Sequence, residues 1–196
     1  LGYDFVDAAQ VICFDAAEEY DGECTVQRIK DMVKAHERAV VPGFYGALPD
    51  GSIKTFSRGG SDITGAIVAQ GADAEVYENW TDVSGLLMAD PRVVNNPRTI
   101  RTVTYSELRE LSYMGASVLH DEAVFPGRQA SIPINVRNTN APEDPGTMIL
   151  EEADCDQAVI TGIAGKAGFT VLALEKDKMN GEVGFAAGVL DVLRDH

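Results

Sequence analysis

Between residues 51 and 71 the chain reads GSIKTFSRGGSDITGAIVAQG: a short β-branched run, two adjacent glycines, then small and apolar residues closed by another glycine. This order of strand, glycine turn and helix narrows the fold more than any other stretch, because a strand that feeds directly into a helix belongs to layered α/β architecture. The pattern predicts a strand over GSIKTFS and a helix from Asp62 to Gln70, stopped by Gly71. The rest of the chain keeps the alternation. Thr25 to Glu37 sets Val26, Ile29, Met32 and Val33 at helical spacing, with Thr25 as the expected N-cap. RAVVPGFYG reads as a strand delivered into a backbone-rich loop, and AEVYENW as a further strand. A long loop through TDVSGLLMADPRVVNNP leads to a helix whose start, Thr104 with Glu107 three residues on, has the form of a capping box. LGYDFVDAAQVICF reads as helix end, strand and loop. The expectation is an α/β fold with a mainly parallel sheet.

Composition excludes several classes. With 45% hydrophobic residues among 196, the chain can bury the core of one domain and part of another. A formal charge of −15 argues against a nucleic-acid surface, whose phosphates require a basic stripe. No apolar run reaches the length of a membrane span, and the first residues lack a signal-peptide layout, so the expected location is cytoplasmic. Cys13, Cys24 and Cys155 are odd in number and never spaced as CxxC, which predicts reduced packing residues rather than bridges or zinc ligands. His36, His120 and His196 are scattered and carry no assignment, and the acidic residues from 15 to 23 read as a solvated loop. Tyr77 and Trp80 read as core or pocket wall.

The opening motif admits two readings. Gly59 and Gly60 before a helix let backbone N–H groups approach an anion at the positive end of the helix dipole, and Arg58 adds a planar fork suited to carboxylate or phosphate. Ser61 either caps the helix or donates to that ligand. The alternative is purely structural, a capped helix beside a solvated arginine.

The surrounding blocks favour the first reading. VPGFYG, SRGGSD, WTDVSGLLMADPRVV, VTYSELRELSYMGASVLH, IPINVRNT and EDPGT follow one another in an order that resembles the aspartate kinases of the amino-acid kinase family. The resemblance implies a three-layer sandwich over residues 1–150. It also implies transfer of phosphate from ATP, with Mg2+, to the side-chain carboxylate of L-aspartate. By the same resemblance Arg58, Gly59, Gly60 and Ser61 fall on the substrate and Asp62 organises the phosphoryl-transfer centre. Thr81, Asp82, Leu87, Arg92, Ser117 and Val118 fall at nucleotide positions, while the magnesium ligands are not identified. Leu87 stands where relatives often carry tyrosine, and Ser117 where a lysine often stands.

From about residue 151 to 196, VITGIAGKAGFTVLALEKDKMNGEVGF resembles the opening strand and helix of an ACT regulatory module, an incomplete α+β unit. That resemblance implies an amino-acid effector, lysine or threonine, at Met179, Asn180 and Gly181, and a homodimer formed through ACT modules. The family's N-terminal KFGG-type segment has no counterpart in these residues, so the chain is expected to be inactive by itself. Two alternatives are a non-catalytic amino-acid or nucleotide sensor and a related kinase acting on another carboxylate. Neither a nucleic acid nor a membrane is an expected partner.

Overall fold

The structure, a computed structural model, describes residues 2–57, 59–113, 126–152, 160–168, 170–175 and 183–194. It divides into a large unit, Leu1–Gly165, and a small one, Lys166–His196. The large unit opens with β1 (Asp4–Phe5), α1 (Ala8–Val11), α2 (Gly22–Ala35) and β2 (Ala39–Val40). The strands β3 (Tyr45–Ala47) and β4 (Ile53–Thr55) and the helix α3 (Gly60–Gly71) follow. Next come β5 (Tyr77–Thr81), β6 (Thr102–Thr104), α4 (Tyr105–Tyr113), β7 (Ile134–Asn138) and β8 (Thr147–Leu150). In the small unit the described residues from 166 to 175 carry no regular element, and α5 spans Phe185–Arg194. The opening strand expected there is not formed among them.

A four-stranded sheet in the order β5-β7-β8-β6 organises the large unit. β5 runs parallel to β7, from Tyr77 opposite Ile134 to Thr81 opposite Asn138. β6 runs parallel to β8, but β7 and β8 are antiparallel, with Ile134 opposite Ile149. Two of its three pairings are thus parallel, as a mainly parallel sheet requires, and the third makes the sheet mixed. The connection between β7 and β8 is too short for a crossover helix, so the chain turns back as a hairpin. Separate two-stranded sheets pair β1 with β2 in parallel and β3 with β4 antiparallel. Ile134, Val136, Ile149 and Val103 point from one sheet face into a core shared with Ile63 and Ile67 of α3, Ile29 of α2, and Val11 and Ile12.

Local chemistry explains the helices. Thr104 and Glu107 form a reciprocal capping box: the Thr104 N–H donates to Glu107 Oε2 at 2.9 Å and the Glu107 N–H donates to Thr104 Oγ1 at 3.2 Å. The next residue, Tyr105, is buried and donates its hydroxyl to the Ile132 carbonyl at 2.5 Å, and burial pushes its phenol up to about 12. Helix α2 begins four residues earlier than expected. Its cap is Asp21, whose carboxylate accepts from the Cys24 N–H at 3.0 Å. Thr25 does not cap: its hydroxyl is buried and accepts from the Cys13 N–H at 2.9 Å. Gly71 ends α3 without a left-handed turn. A Cβ there would lie 2.8 Å from Ile29 Cβ, so glycine is needed for the close crossing of α2 and α3.

Cys13 and Cys24 are joined as a disulfide, with Cα atoms 6.0 Å apart, against the expectation of free thiols. The segment around Cys13 lies between Thr25 and the bridge it makes to Ala47, which brings it onto the first turn of α2. Eleven residues of separation without a recognised spacing carry no trace of that approach. Cys155 lies outside the described residues.

Candidate active site

The two glycines of the opening motif serve different purposes. Gly59 is the N-cap of α3 with φ of 59°, the left-handed region that glycine occupies without strain, and no side chain among the described residues caps the helix. Gly60 is buried, and a Cβ there would sit 2.6 Å from Phe44 Cδ2 and 3.0 Å from Phe56 Cβ. Thr64 ties the neighbouring loop to this turn. Its hydroxyl donates to the Gly60 carbonyl at 2.6 Å and accepts from the Phe44 N–H at 3.0 Å. Gly43 completes the approach, since a Cβ there would lie 3.0 Å from Ser61 Cα. The result is a helix N-terminus with uncapped N–H groups, an exposed Ser61 and a carboxylate in its first turn, Asp62.

Asp62 is held from the sheet. Asn79, only 7% exposed in the middle of β5, donates its amide to Asp62 Oδ1 at 3.0 Å and to Tyr77 Oη at 2.9 Å. The Tyr77 hydroxyl in turn lies 3.4 Å from the Asp62 carbonyl, to which it donates. Burial raises the Tyr77 phenol above its ordinary value, and the Asp62 charge adds to the shift. Gly65 makes room for that ring, as a Cβ there would lie 2.6 Å from Tyr77 Oη. Sequence reasoning missed Asn79. Its signal was an amide at an inward position of the alternating strand YENWT, where an apolar residue is the norm. Thr81 stands two residues further on the same face of β5, about 7 Å along the strand.

Beyond the end of β5 opens a cavity of about 600 Å³. Asp82, Leu87 and Arg92 all line it, together with Asp90, Leu111 and Asn138. Thr81 is not among the residues that line it; its hydroxyl donates to Asp82 Oδ1 at 3.3 Å, and its carbonyl accepts from the Thr139 N–H at 2.8 Å. Arg92 is 86% exposed at the side chain and forks onto Asp90, with Nη2 to Oδ2 at 2.6 Å and Nε to Oδ1 at 3.0 Å. That guanidinium holds the Asp90 carboxyl below its usual range. Arg58, Ser117, Val118, Met179, Asn180 and Gly181 lie outside the described residues.

The pocket loop is fastened by side chains that no sequence motif announced. Ser84 donates to Asp144 Oδ2 at 2.5 Å and accepts from the Asn138 amide at 2.9 Å, which links the loop to the hairpin after β7. Thr147 is fully buried. Its hydroxyl donates to the Ile100 carbonyl at 2.6 Å and accepts from the Leu86 N–H at 2.8 Å. Replacing Thr147 by Val keeps the shape and strands both backbone groups, each costing about 1–3 kcal/mol when left unsatisfied. We expect Thr147→Val to lose about 2–5 kcal/mol in a urea denaturation series; a loss under about 0.5 kcal/mol would show that water replaces the hydroxyl.

A helix N-terminus without a side-chain cap and a cavity beyond the carboxyl end of β5 are the two features that open α/β sheets use to hold ligands. Residues 5–138 match the family model described as the amino acid kinase family, and the chain belongs to that family. Aspartokinases are among the proteins it resembles. Aspartokinase 3 of Bacillus subtilis is 39% identical over 196 residues, an alignment that takes in 98% of this chain and 43% of that protein. The crystal structure of Clostridium acetobutylicum aspartate kinase is 54% identical, with a TM-score of 0.90 over 98% of this chain and 45% of the other. Aspartokinase III of Escherichia coli is similar in two complexes. With aspartate and ADP it is 27% identical with a TM-score of 0.70, covering 78% of this chain and 36% of that one. With lysine and aspartate it is 26% identical with a TM-score of 0.72, covering 99% and 45%. The chain thus spans less than half the length of these relatives. Among the described residues no helix is long and apolar enough to cross a membrane.

Proposed function

We propose that the complete protein carrying this chain phosphorylates the side-chain carboxylate of L-aspartate, giving 4-phospho-L-aspartate and ADP. The observation that carries this reading is the bond by which Asn79, in the middle of β5, holds Asp62 in the first turn of α3, while the cavity lined by Asp82, Leu87 and Arg92 opens beyond the end of the same strand. An amino-acid carboxylate at the helix start and a nucleotide in the cavity would then meet near Asp62. The aspartate and ADP bound to the E. coli relative are the two species this division requires.

Little further chemistry is needed. The acceptor is already an anionic nucleophile, so no general base is called for, and catalysis reduces to alignment and charge stabilisation. Gly59, Gly60 and Ser61 offer N–H groups to the acceptor's carboxylate, with Arg58 as its fork. Asp62 orders the transfer centre, and Thr81, Asp82, Leu87 and Arg92 hold the nucleotide, with Ser117 and Val118 as further contacts. A magnesium ion in such a site would keep phosphate and water oxygens among its ligands. That ion, when bound, neutralises charge on the phosphates. The reading extends to a cytoplasmic homodimer in which residues 1–150 belong to the catalytic domain and 151–196 begin an ACT module. Met179, Asn180 and Gly181 would then meet an amino-acid effector, lysine being the one bound to the E. coli relative.

The test is ATP-dependent acyl-phosphate formation by the complete protein, trapped with hydroxylamine, with L-aspartate, L-glutamate or no acceptor. Product with L-aspartate alone is the expected result. Product with L-glutamate instead would reassign the acceptor, and nucleotide binding without product from either would leave a sensor.

A further inference from the structure

One wall of the cavity comes from an unexpected part of the chain. Ile163, Ala164 and Gly165 line it, although they follow β8 and lie beyond the residues that match the family model. The segment has no regular secondary structure, so its position depends on individual bonds. Two are present. The Thr161 hydroxyl donates to Glu107 Oε1 at 2.5 Å, and the Ile163 N–H donates to the Met88 carbonyl at 2.7 Å. Gly162 between them lies close on the apolar floor, where a Cβ would be 3.3 Å from Leu111 Cδ2 and 3.4 Å from Ile100 Cδ1.

Glu107 is committed on both sides. Its Oε2 closes the capping box of α4 and its Oε1 receives Thr161, and that hydroxyl, ahead of the Thr104 N–H, holds the carboxyl below its ordinary value. The same glutamate therefore fixes the helix that carries Leu111 and the strand of chain that carries Ile163. Ile163 is nonetheless 67% exposed, an aliphatic side chain held by its backbone at the edge of a cavity and left open to solvent. Leu87, 38% exposed, lines the same space. The polar lining, Asp82, Asp90, Arg92 and Asn138, suits ribose and phosphate; the aliphatic lining suits the faces of a base.

We propose that Thr161–Gly165 is part of the nucleotide site, with Ile163 packing on the base and the Thr161 to Glu107 bond as the clasp that positions it. The proposal rests on the nucleotide reading of the cavity. Thr161 is a positioning residue, since it acts through Ile163, whereas Ile163 touches the ligand.

The experiment is calorimetric titration of the complete protein with ADP and Mg2+, alongside steady-state kinetics and melting curves. Ile163→Ala removes aliphatic area from the ligand and should raise the dissociation constant about fivefold to thirtyfold. Thr161→Val should raise it about threefold to tenfold, and Thr161→Ser should return it to within about twofold of wild type. The KM for ATP should rise with it while the KM for the carboxylate acceptor stays unchanged. If Ile163→Ala and Thr161→Val bind ADP like wild type while Arg92→Ala binds it more weakly, the proposal is overturned and the cavity keeps its reading. A lowered melting temperature with unchanged ADP affinity overturns it equally, since the clasp would then be structural only. If the wild type fails to bind ADP, or Asp82→Asn and Arg92→Ala leave binding unchanged, the nucleotide reading itself fails and the proposal goes with it.

Discussion

Asp62→Asn in the complete protein should lower aspartate-dependent turnover by roughly a hundredfold or more, the scale of losing one electrostatic group preorganised at a reacting centre. The substitution is nearly isosteric, and its amide oxygen can still accept the bond that Asn79 now gives to Oδ1 at 3.0 Å. What disappears is the charge, at a point anchored from the buried middle of β5. Affinity for ADP should be retained, because Asp62 does not line the cavity. The acyl-phosphate assay and an ADP titration on the same preparation separate the two effects. Turnover within about threefold of wild type would show Asp62 to be no more than a carboxylate favourable to a helix start, an interaction of about 0.3–1 kcal/mol.

The second large effect is on stability. Gly146 sits at the end of the β7–β8 hairpin with φ of 70°, and a Cβ there would fall inside the contact radius of the Val136 carbonyl oxygen. Two penalties combine in Gly146→Ala. The left-handed backbone costs an L-residue about 1–2 kcal/mol, and the overlap is with backbone, which no rotamer change can relieve. Relief requires displacing the pairing of Val136 with Thr147, the same threonine that fastens Leu86 and Ile100. We expect a loss of more than about 4 kcal/mol, seen as a collapse of the urea midpoint or as failure to accumulate folded protein. A loss under about 1 kcal/mol would mean that the hairpin yields easily and that the sheet does not depend on its register.

Together these variants probe the two sides of the site. Asp62 belongs to a constellation whose outline could be read along the chain. Gly146 and Thr147 belong to a scaffold that could not, even though EDPGT was recognised as a family block.

Features decided within one helical turn or one strand were legible. The capping box at Thr104 and Glu107 forms because its partners are three residues apart, and nothing distant competes for them. The strand over Ile53–Thr55, the glycine turn and the helix over Gly60–Gly71 follow from local propensity and from the backbone freedom of Gly59. Local rules also failed where a distant group intervened. Thr25 has the chemistry of an N-cap, but the Cys13 N–H claims its hydroxyl, so the role passes to Asp21. Cys13 and Cys24 looked like packing thiols until the chain folded one against the other.

By itself, the sequence determined the glycine turn before α3, the strand and helix on either side of it, and which charged residues stand near it. Those properties depend on dihedral preference and on side chains a few positions apart. Only the tertiary structure decided that β7 and β8 are antiparallel, that Asn79 holds Asp62, that Thr147 bonds Leu86 across 61 residues, and that Ile163 reaches the cavity. In each of these cases a buried polar group or an apolar wall must find a partner wherever the packed chain supplies one, and spacing along the sequence does not encode that choice.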